Sequence, residues 1–159
     1  MNGREFTVLP LEHEVEAPAF PLEAIPHYDI YFEDKKRVKE FDKDATDAAR
    51  DAELELWSAL WGKPQAVMWE RLGLVYQVAA YVRAYIESTG PESNAGLKTA
   101  AIRMEAELGI STSGMLQNGW VIETPAADGT ASSPAPEGGG SKRQTSTGSW
   151  LSGVKVEGA

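Results

Sequence analysis

Apolar residues repeat at helical spacing through the middle of the chain. Val75, Val78, Ala79, Val82 and Ile86 form one stripe along LVYQVAAYVRAYIEST, residues 74–89, and Leu74, Tyr81 and Tyr85 form a second beside it. Together the stripes cover roughly 160° of a helix, wider than the ~100° of a surface helix. This helix is therefore expected to have neighbours on two sides. Upstream, Ala45, Ala49, Ala52, Leu56 and Leu60 share a line with Trp57 and Trp61 beside it, predicting a helix from near Asp44 to about Trp61. Asp44 is its expected cap, and Gly62 its stop in a left-handed conformation. Pro64 suits the first turn of a short second helix, PQAVMWERLG, that bends or stops at Gly73. Gly90-Pro91 closes the long helix, and Asn94 is placed to cap another in which Leu97, Ala101, Met104 and Leu108 keep the period. Gly109 ends that one. STSGMLQNGWVIE, residues 111–123, reads as a helical turn, a glycine break and a short apolar Trp-Val-Ile.

The flanks lose this pattern. Residues 1–27 hold Pro10, Pro18, Pro21 and Pro26 among isolated apolar residues, a density that opposes regular helix. Phe6, Val8, Leu9, Leu11, Phe20, Leu22 and Ile25 are too many to leave wet, which predicts an extended arm draped over the body or over a neighbouring subunit. Residues 28–50 turn strongly charged and read as a solvated, partly helical connector. From Thr124 onward Gly, Pro and Ser fill 16 of 36 positions, too little apolar surface to offset the entropy of ordering. The expected fold class is all-α: an arm and connector over 1–43, a helical core and oligomerisation domain over 44–123, and a disordered tail over 124–159. Within that core, LWSALWGKPQAVMWE carries Trp57, Trp61 and Trp69, expected to be buried and to set a corner of the fold.

At 159 residues the chain suits one domain. No apolar run approaches the ~20 residues that span a bilayer. MNGREFTVLPLEHEVE lacks a basic start followed by an apolar stretch, so a secretory signal is not expected. The absence of cysteine excludes a disulfide framework and thiolate chemistry, and fits a cytosolic setting. The net charge is −9, and residues 1–60 carry 15 acidic against 7 basic side chains. Such a chain repels polyanions at long range, so any nucleic-acid contact must be local or assembled from several copies.

Catalytic chemistry is not indicated. His13 and His27 both sit in the proline-rich arm, with no nucleophile or carboxylate at a recognisable catalytic spacing. GGGSK, residues 138–142, lacks the leading glycine, strand and helix of a phosphate loop. Asp44, Asp47 and Asp51 share a helical face, but one helix supplies too few ligands for a closed cation cage. No cofactor or metal is expected. Lys35, Lys36, Arg37 and Lys39 form the one basic cluster and are either part of the solvated connector or a local phosphate contact. Two short helices meeting at Gly62-Lys63-Pro64 also leave a helix-turn-helix open, with Lys63, Gln65, Glu70 and Arg71 on its second helix.

LWSALWGKPQAVMWERLGL, the long aliphatic helix after it, and ELGISTSGMLQNGWVI together resemble the small terminase subunit of tailed phages of actinobacteria. Trp61, Pro64 and Ala66 match a Trp-x-x-Pro-x-Ala element of that family. Leu108, Gly109 and Ile110 match the start of its later Leu-Gly-Leu-Thr-Pro turn, and Leu116 and Trp120 match its end more loosely. The likeness spans residues 56–122. It implies a non-catalytic protein that assembles into homo-oligomeric rings in the host cytoplasm, recognises viral double-stranded DNA and delivers it to a large subunit carrying ATPase and nuclease. Where the family has arginine before that leucine, this chain has Ser113, Gly114 and Met115, with Gln117 and Asn118 after it, which removes those phosphate contacts. The acidic insert around 33–51 is also longer. The DNA contacts then fall to Lys35, Lys36, Arg37, Lys39, Lys63 and Arg71, the ring interface to Leu74, Val78, Tyr81 and Tyr85, and large-subunit docking to Trp150 and Leu151. The alternative is a structural head–tail or scaffold protein that never touches DNA, which the acidic balance favours.

Overall fold

The computed structural model describes residues 5–125. The tail expected over 124–159, with Trp150 and Leu151, lies outside the described residues from 126 onward. The element order is β1 (Thr7–Leu9), β2 (His27–Glu33), β3 (Lys36–Asp42), α1 (Lys43–Trp61), α2 (Ala66–Leu72), α3 (Val75–Thr89), α4 (Ala95–Glu107), α5 (Thr112–Asn118) and β4 (Trp120–Ile122). Five helices agree with the periodicity, but the fold is not all-α. Two small sheets accompany the helices, and both come from segments read as arm, connector or apolar tail-end of the core.

The first sheet joins the two ends of the described chain. β1 runs parallel to β4, pairing Thr7 with Trp120, Val8 with Val121 and Leu9 with Ile122. Leu9 and Trp120 carry this pairing into the core, where both are buried. A parallel pair needs a long crossover, and here the crossover is everything between, so local sequence could not announce it.

Three tryptophans organise the core. Trp57, Trp61 and Trp69 are buried, and successive ring centroids lie 5.4 and 5.9 Å apart, the second pair edge to face. Phe20 of the arm extends the series, meeting Trp57 edge-on at 5.1 Å. Each such pair adds about 0.5–1.5 kcal/mol beyond its buried area. Trp69 is fully enclosed, and its indole N–H donates to the Leu108 carbonyl at 2.9 Å, tying α2 to the end of α4. Gly109 follows at φ 69, with the Trp120 ring so close that an added Cβ would come within 2.5 Å of it. Where α5 crosses α4, Gly114 is equally tight, since a Cβ there would lie 2.4 Å from the Ala106 carbonyl oxygen.

The arm folds back onto its own chain. The Trp57 indole N–H donates to the Pro18 carbonyl at 2.8 Å, and Arg50 donates to the Leu22 carbonyl at 2.7 Å. Arg83 donates to the Glu23 carbonyl at 2.6 Å and to the buried Glu53 carboxylate at 2.7 Å. Arg50 reaches the same carboxylate at 3.3 Å. One buried glutamate thus holds α1, α3 and the arm together. His13 reinforces the far end: its Nδ1 accepts from the Val15 amide, so its Nε2 carries the proton and donates to the Lys63 carbonyl at 2.9 Å.

Three helix ends depart from expectation. α1 begins at Lys43, and its cap is Asp42, whose carboxylate accepts from the Ala45 amide at 2.9 Å; Asp44 already lies in the first turn. Gly62 ends the helix in a right-handed conformation, φ −79. Pro64 precedes α2 in a tight turn closed by Ala66 N–H to Lys63 O at 2.9 Å, and the helix proper starts two residues later. Among the described residues, no helix is long and apolar enough to cross a membrane.

Candidate interaction site

The segment expected to be a connector is a β-hairpin. β2 and β3 pair antiparallel from His27–Asp42 at the base to Glu33–Lys36 at the tip. Asp34 and Lys35 form the two-residue turn at φ 49 and 65, the left-handed geometry that matches strand twist and favours Asn-Gly or Asp-Gly. A lysine stands where glycine is preferred, which is why the turn carried no recognisable signature.

Alternation gives the hairpin two unlike faces. Cross-strand partners share a face, so Tyr28, Ile30 and Phe32 lie with Phe41, Lys39 and Arg37. This face is apolar and cationic. Tyr28 and Phe41 meet edge to face at 5.9 Å, and the Lys39 ammonium sits 3.9 Å over the Tyr28 ring. The opposite face carries Asp29, Tyr31, Glu33, Lys36, Val38 and Glu40. There Tyr31 donates to Glu40 at 3.2 Å, and the glutamate's negative charge raises the phenol's pKa.

The hairpin is pinned at its base and open beyond it. Thr46 in α1 donates to the Asp42 carbonyl at 2.7 Å and accepts from the His27 amide at 2.9 Å, so both strands are tied to the first turn of the helix. Past that point every residue of β2 is exposed, and Phe32 at the tip keeps 74% of its surface in water. Isolated two-stranded ribbons are marginal in water, and contiguous exposed apolar residues mark contact surfaces. A cleft of about 720 Å³ separates the hairpin from the helical body. Tyr28, Ile30 and Lys39 form one wall, while Ile86, Pro91 and Leu97 line the other, with Glu87 and Glu92 among its residues.

The six expected DNA contacts do not form one patch. Lys35, Lys36, Arg37 and Lys39 emerge before the N-terminus of α1, whereas Lys63 follows its C-terminus. The 19 residues of α1 separate the two by about 28 Å at a ~1.5 Å rise. Arg71 lies exposed in the last turn of α2. Even within the hairpin the charges divide: Arg37 and Lys39 share the aromatic face, Lys36 the other, and Lys35 occupies the turn.

The four expected interface residues divide as well. Val78 and Tyr81 are 0% and 3% exposed, packed in the chain's own core, and Leu74 is half-buried against it. Burial, with the charge of Glu105 behind it, pushes the Tyr81 phenol pKa strongly up. Tyr85 alone of the four is open, 40% exposed, with its ring 5.9 Å from that of Tyr81. The second stripe on residues 74–89 therefore faces α4 of the same chain to a large extent, and the residues missed as contact candidates are Tyr28, Ile30, Phe32 and Phe41. Their alternation with charged positions was a readable strand signal, masked by the density of charge around it.

Comparisons with family models, curated proteins and solved structures return no match to this chain. The terminase likeness accordingly rests on the sequence elements quoted above.

Proposed function

We propose that the chain is a non-catalytic, self-assembling subunit of the small terminase kind, which binds viral double-stranded DNA and delivers it to a large ATPase/nuclease subunit. The observation that supports this reading is the hairpin: a ribbon that presents Tyr28, Ile30, Phe32 and Phe41 to solvent beside Arg37 and Lys39, on a body whose own aromatic core is already closed. Exposed aromatic and arginine side chains are what contact surfaces enrich. Repetition around an oligomer would multiply a basic tip that is weak in one copy. The tip residues Lys35 and Lys36 are the phosphate contacts in this reading, since Lys39 is engaged by Tyr28.

Gel-shift titrations with packaging-site DNA at low and physiological salt test it, together with native mass spectrometry and the large subunit's ATPase. The expected results are an oligomer, a shift that weakens steeply with salt, and a stimulated ATPase. A monomer at tens of micromolar, or no shift and no stimulation, ends the proposal. Deleting 124–159 is expected to abolish stimulation while leaving the oligomer intact, as docking through Trp150 and Leu151 requires.

One observation favours the second reading, a head–tail or scaffold protein without DNA. The hairpin segment 27–42 sets Lys35, Lys36, Arg37 and Lys39 against Asp29, Glu33, Asp34, Glu40 and Asp42, so it has no cationic excess. Assembly without any salt-dependent DNA shift would select that reading.

A further inference from the structure

The hairpin tip and the cleft beside the hairpin are complementary, and one chain cannot satisfy both. We infer that the Phe32–Arg37 pair of one copy inserts into the cleft of a second copy of this chain, between its hairpin and its α3–α4 corner. This inference rests on the self-assembly reading above and names the contact that would carry it.

Three features argue for that occupant. Phe32 and Arg37 are direct cross-strand partners on one face, so an aromatic anchor and a guanidinium arrive side by side. Such pairs are favoured at the centres of interfaces. Among the described residues Phe32 is the most exposed of the large hydrophobic side chains, and it does not line its own chain's cleft, so the tip reaches beyond the cavity it would need to fill. The cleft offers the matching chemistry. Its volume lies within the roughly 300–1,000 Å³ of recognition pockets, Ile86, Pro91 and Leu97 give an apolar wall, and Glu87 and Glu92 supply two carboxylates. Neither carboxylate forms a salt bridge among the described residues. Glu87 already feels Arg83, and Lys39 and Arg50 line the same cleft, so among the described residues Glu92 is the carboxylate left for Arg37 to meet as Phe32 leaves water.

The contact joins two different surfaces, and that has a consequence for symmetry. A tip-in-cleft contact is heterologous, so repeated copies close a ring or continue as a filament. An edge-to-edge pairing of two hairpins would instead be isologous and stop at two copies. Mixing experiments distinguish these arrangements, because in the heterologous case each damaged copy retains one good half.

The test uses the full chain and native mass spectrometry, with thermal melts to confirm that each variant folds. Phe32→Ser, and separately Glu87→Lys with Glu92→Lys, are each expected to weaken assembly on the order of 30-fold or more, as for a hot-spot contact. Mixing the two is expected to give a dimer and nothing larger. Adding Arg37→Glu to the double lysine variant is expected to restore the wild-type assembly by swapping the charges. If Phe32→Ser assembles like wild type, or mixing yields no dimer, the tip-in-cleft contact is wrong while self-assembly stands. If the wild-type chain is itself a monomer, the self-assembly reading falls and this contact with it.

Discussion

The helical body and the hairpin use the same kinds of residue to opposite ends. In the body, Trp57, Trp61 and Trp69 are all buried with their rings in successive contact, and the Trp57 and Trp69 indoles donate to backbone carbonyls. In the hairpin, Tyr28, Ile30, Phe32 and Phe41 alternate just as regularly, yet all four stand in water. Burial needs a second layer, and the body has one: α3 and α4 pack on each other, α1 packs on α3, and the arm covers the outside. Among the described residues, the hydrogen bonds that tie the ribbon to the body lie at its base, between Thr46 and both the His27 amide and the Asp42 carbonyl. Hydrophobicity alone therefore does not distinguish a core residue from a contact residue; the number of layers around it does.

Stability measurements can break or sharpen this contrast. The largest effect is expected for Trp69→Ala, which removes a fully enclosed ring and the hydrogen bond to Leu108. A loss of about 3–5 kcal/mol in urea unfolding is expected, as for other buried aromatic truncations. Next comes Glu53→Ala, which leaves Arg50 and Arg83 facing each other without their carboxylate. Removing one partner of a buried pair costs about 3–5 kcal/mol, and the lower end applies because both arginines keep some contact with water. Limited proteolysis should then cut the released arm near Leu22 and Glu23, whose carbonyls those arginines hold.

Alkaline titration separates the two regions by cause. Tyr81 has its pKa raised above the ordinary 10.0 chiefly by burial, Tyr31 chiefly by the charge of Glu40. For Tyr81 the raised native value means that stability is intact below pH 10.0 and falls as pH rises past it, because the unfolded chain loses its proton first. The slope approaches about 1.4 kcal/mol per pH unit for one such group. Tyr81→Phe should flatten the alkaline limb of a stability–pH curve, and added salt should leave that limb while lowering the Tyr31 value toward normal. A Tyr81→Phe curve that is as steep as wild type would refute the burial account.

The smallest effect is expected from Phe32→Ser. At its exposed position the loss of monomer stability should stay within about 0.5 kcal/mol, measured below the assembly concentration. A cost comparable to Trp69→Ala would mean that the ribbon is part of the body, and the contrast would collapse.

The helices were legible because a 3.6-residue period is written locally. The stripes on residues 74–89, the Asn94 cap, confirmed by its acceptance from Leu97 N–H at 2.9 Å, and the burial of all three tryptophans needed no distant partner. The hairpin was half legible: its alternation is present in Tyr28, Ile30 and Phe32, but the turn at Asp34-Lys35 carries lysine in a left-handed position and hides the reversal. The Lys35–Lys39 cluster was found as charge and missed as geometry, since only the register puts Arg37 beside Phe32 and turns Lys36 away.

What the sequence by itself determined is therefore the set of helices, their apolar faces and the Asn94 cap, because each depends on residues within four positions of one another. Tertiary structure alone decided the rest. It closed β1 against β4 across the whole described chain, and it gave Val78 and Tyr81 to the chain's own core. It also left Phe32, as apolar as the buried aromatics, standing in solvent at the tip of the ribbon. Contacts between distant segments depend on which surfaces meet, and a local pattern records only that a surface exists.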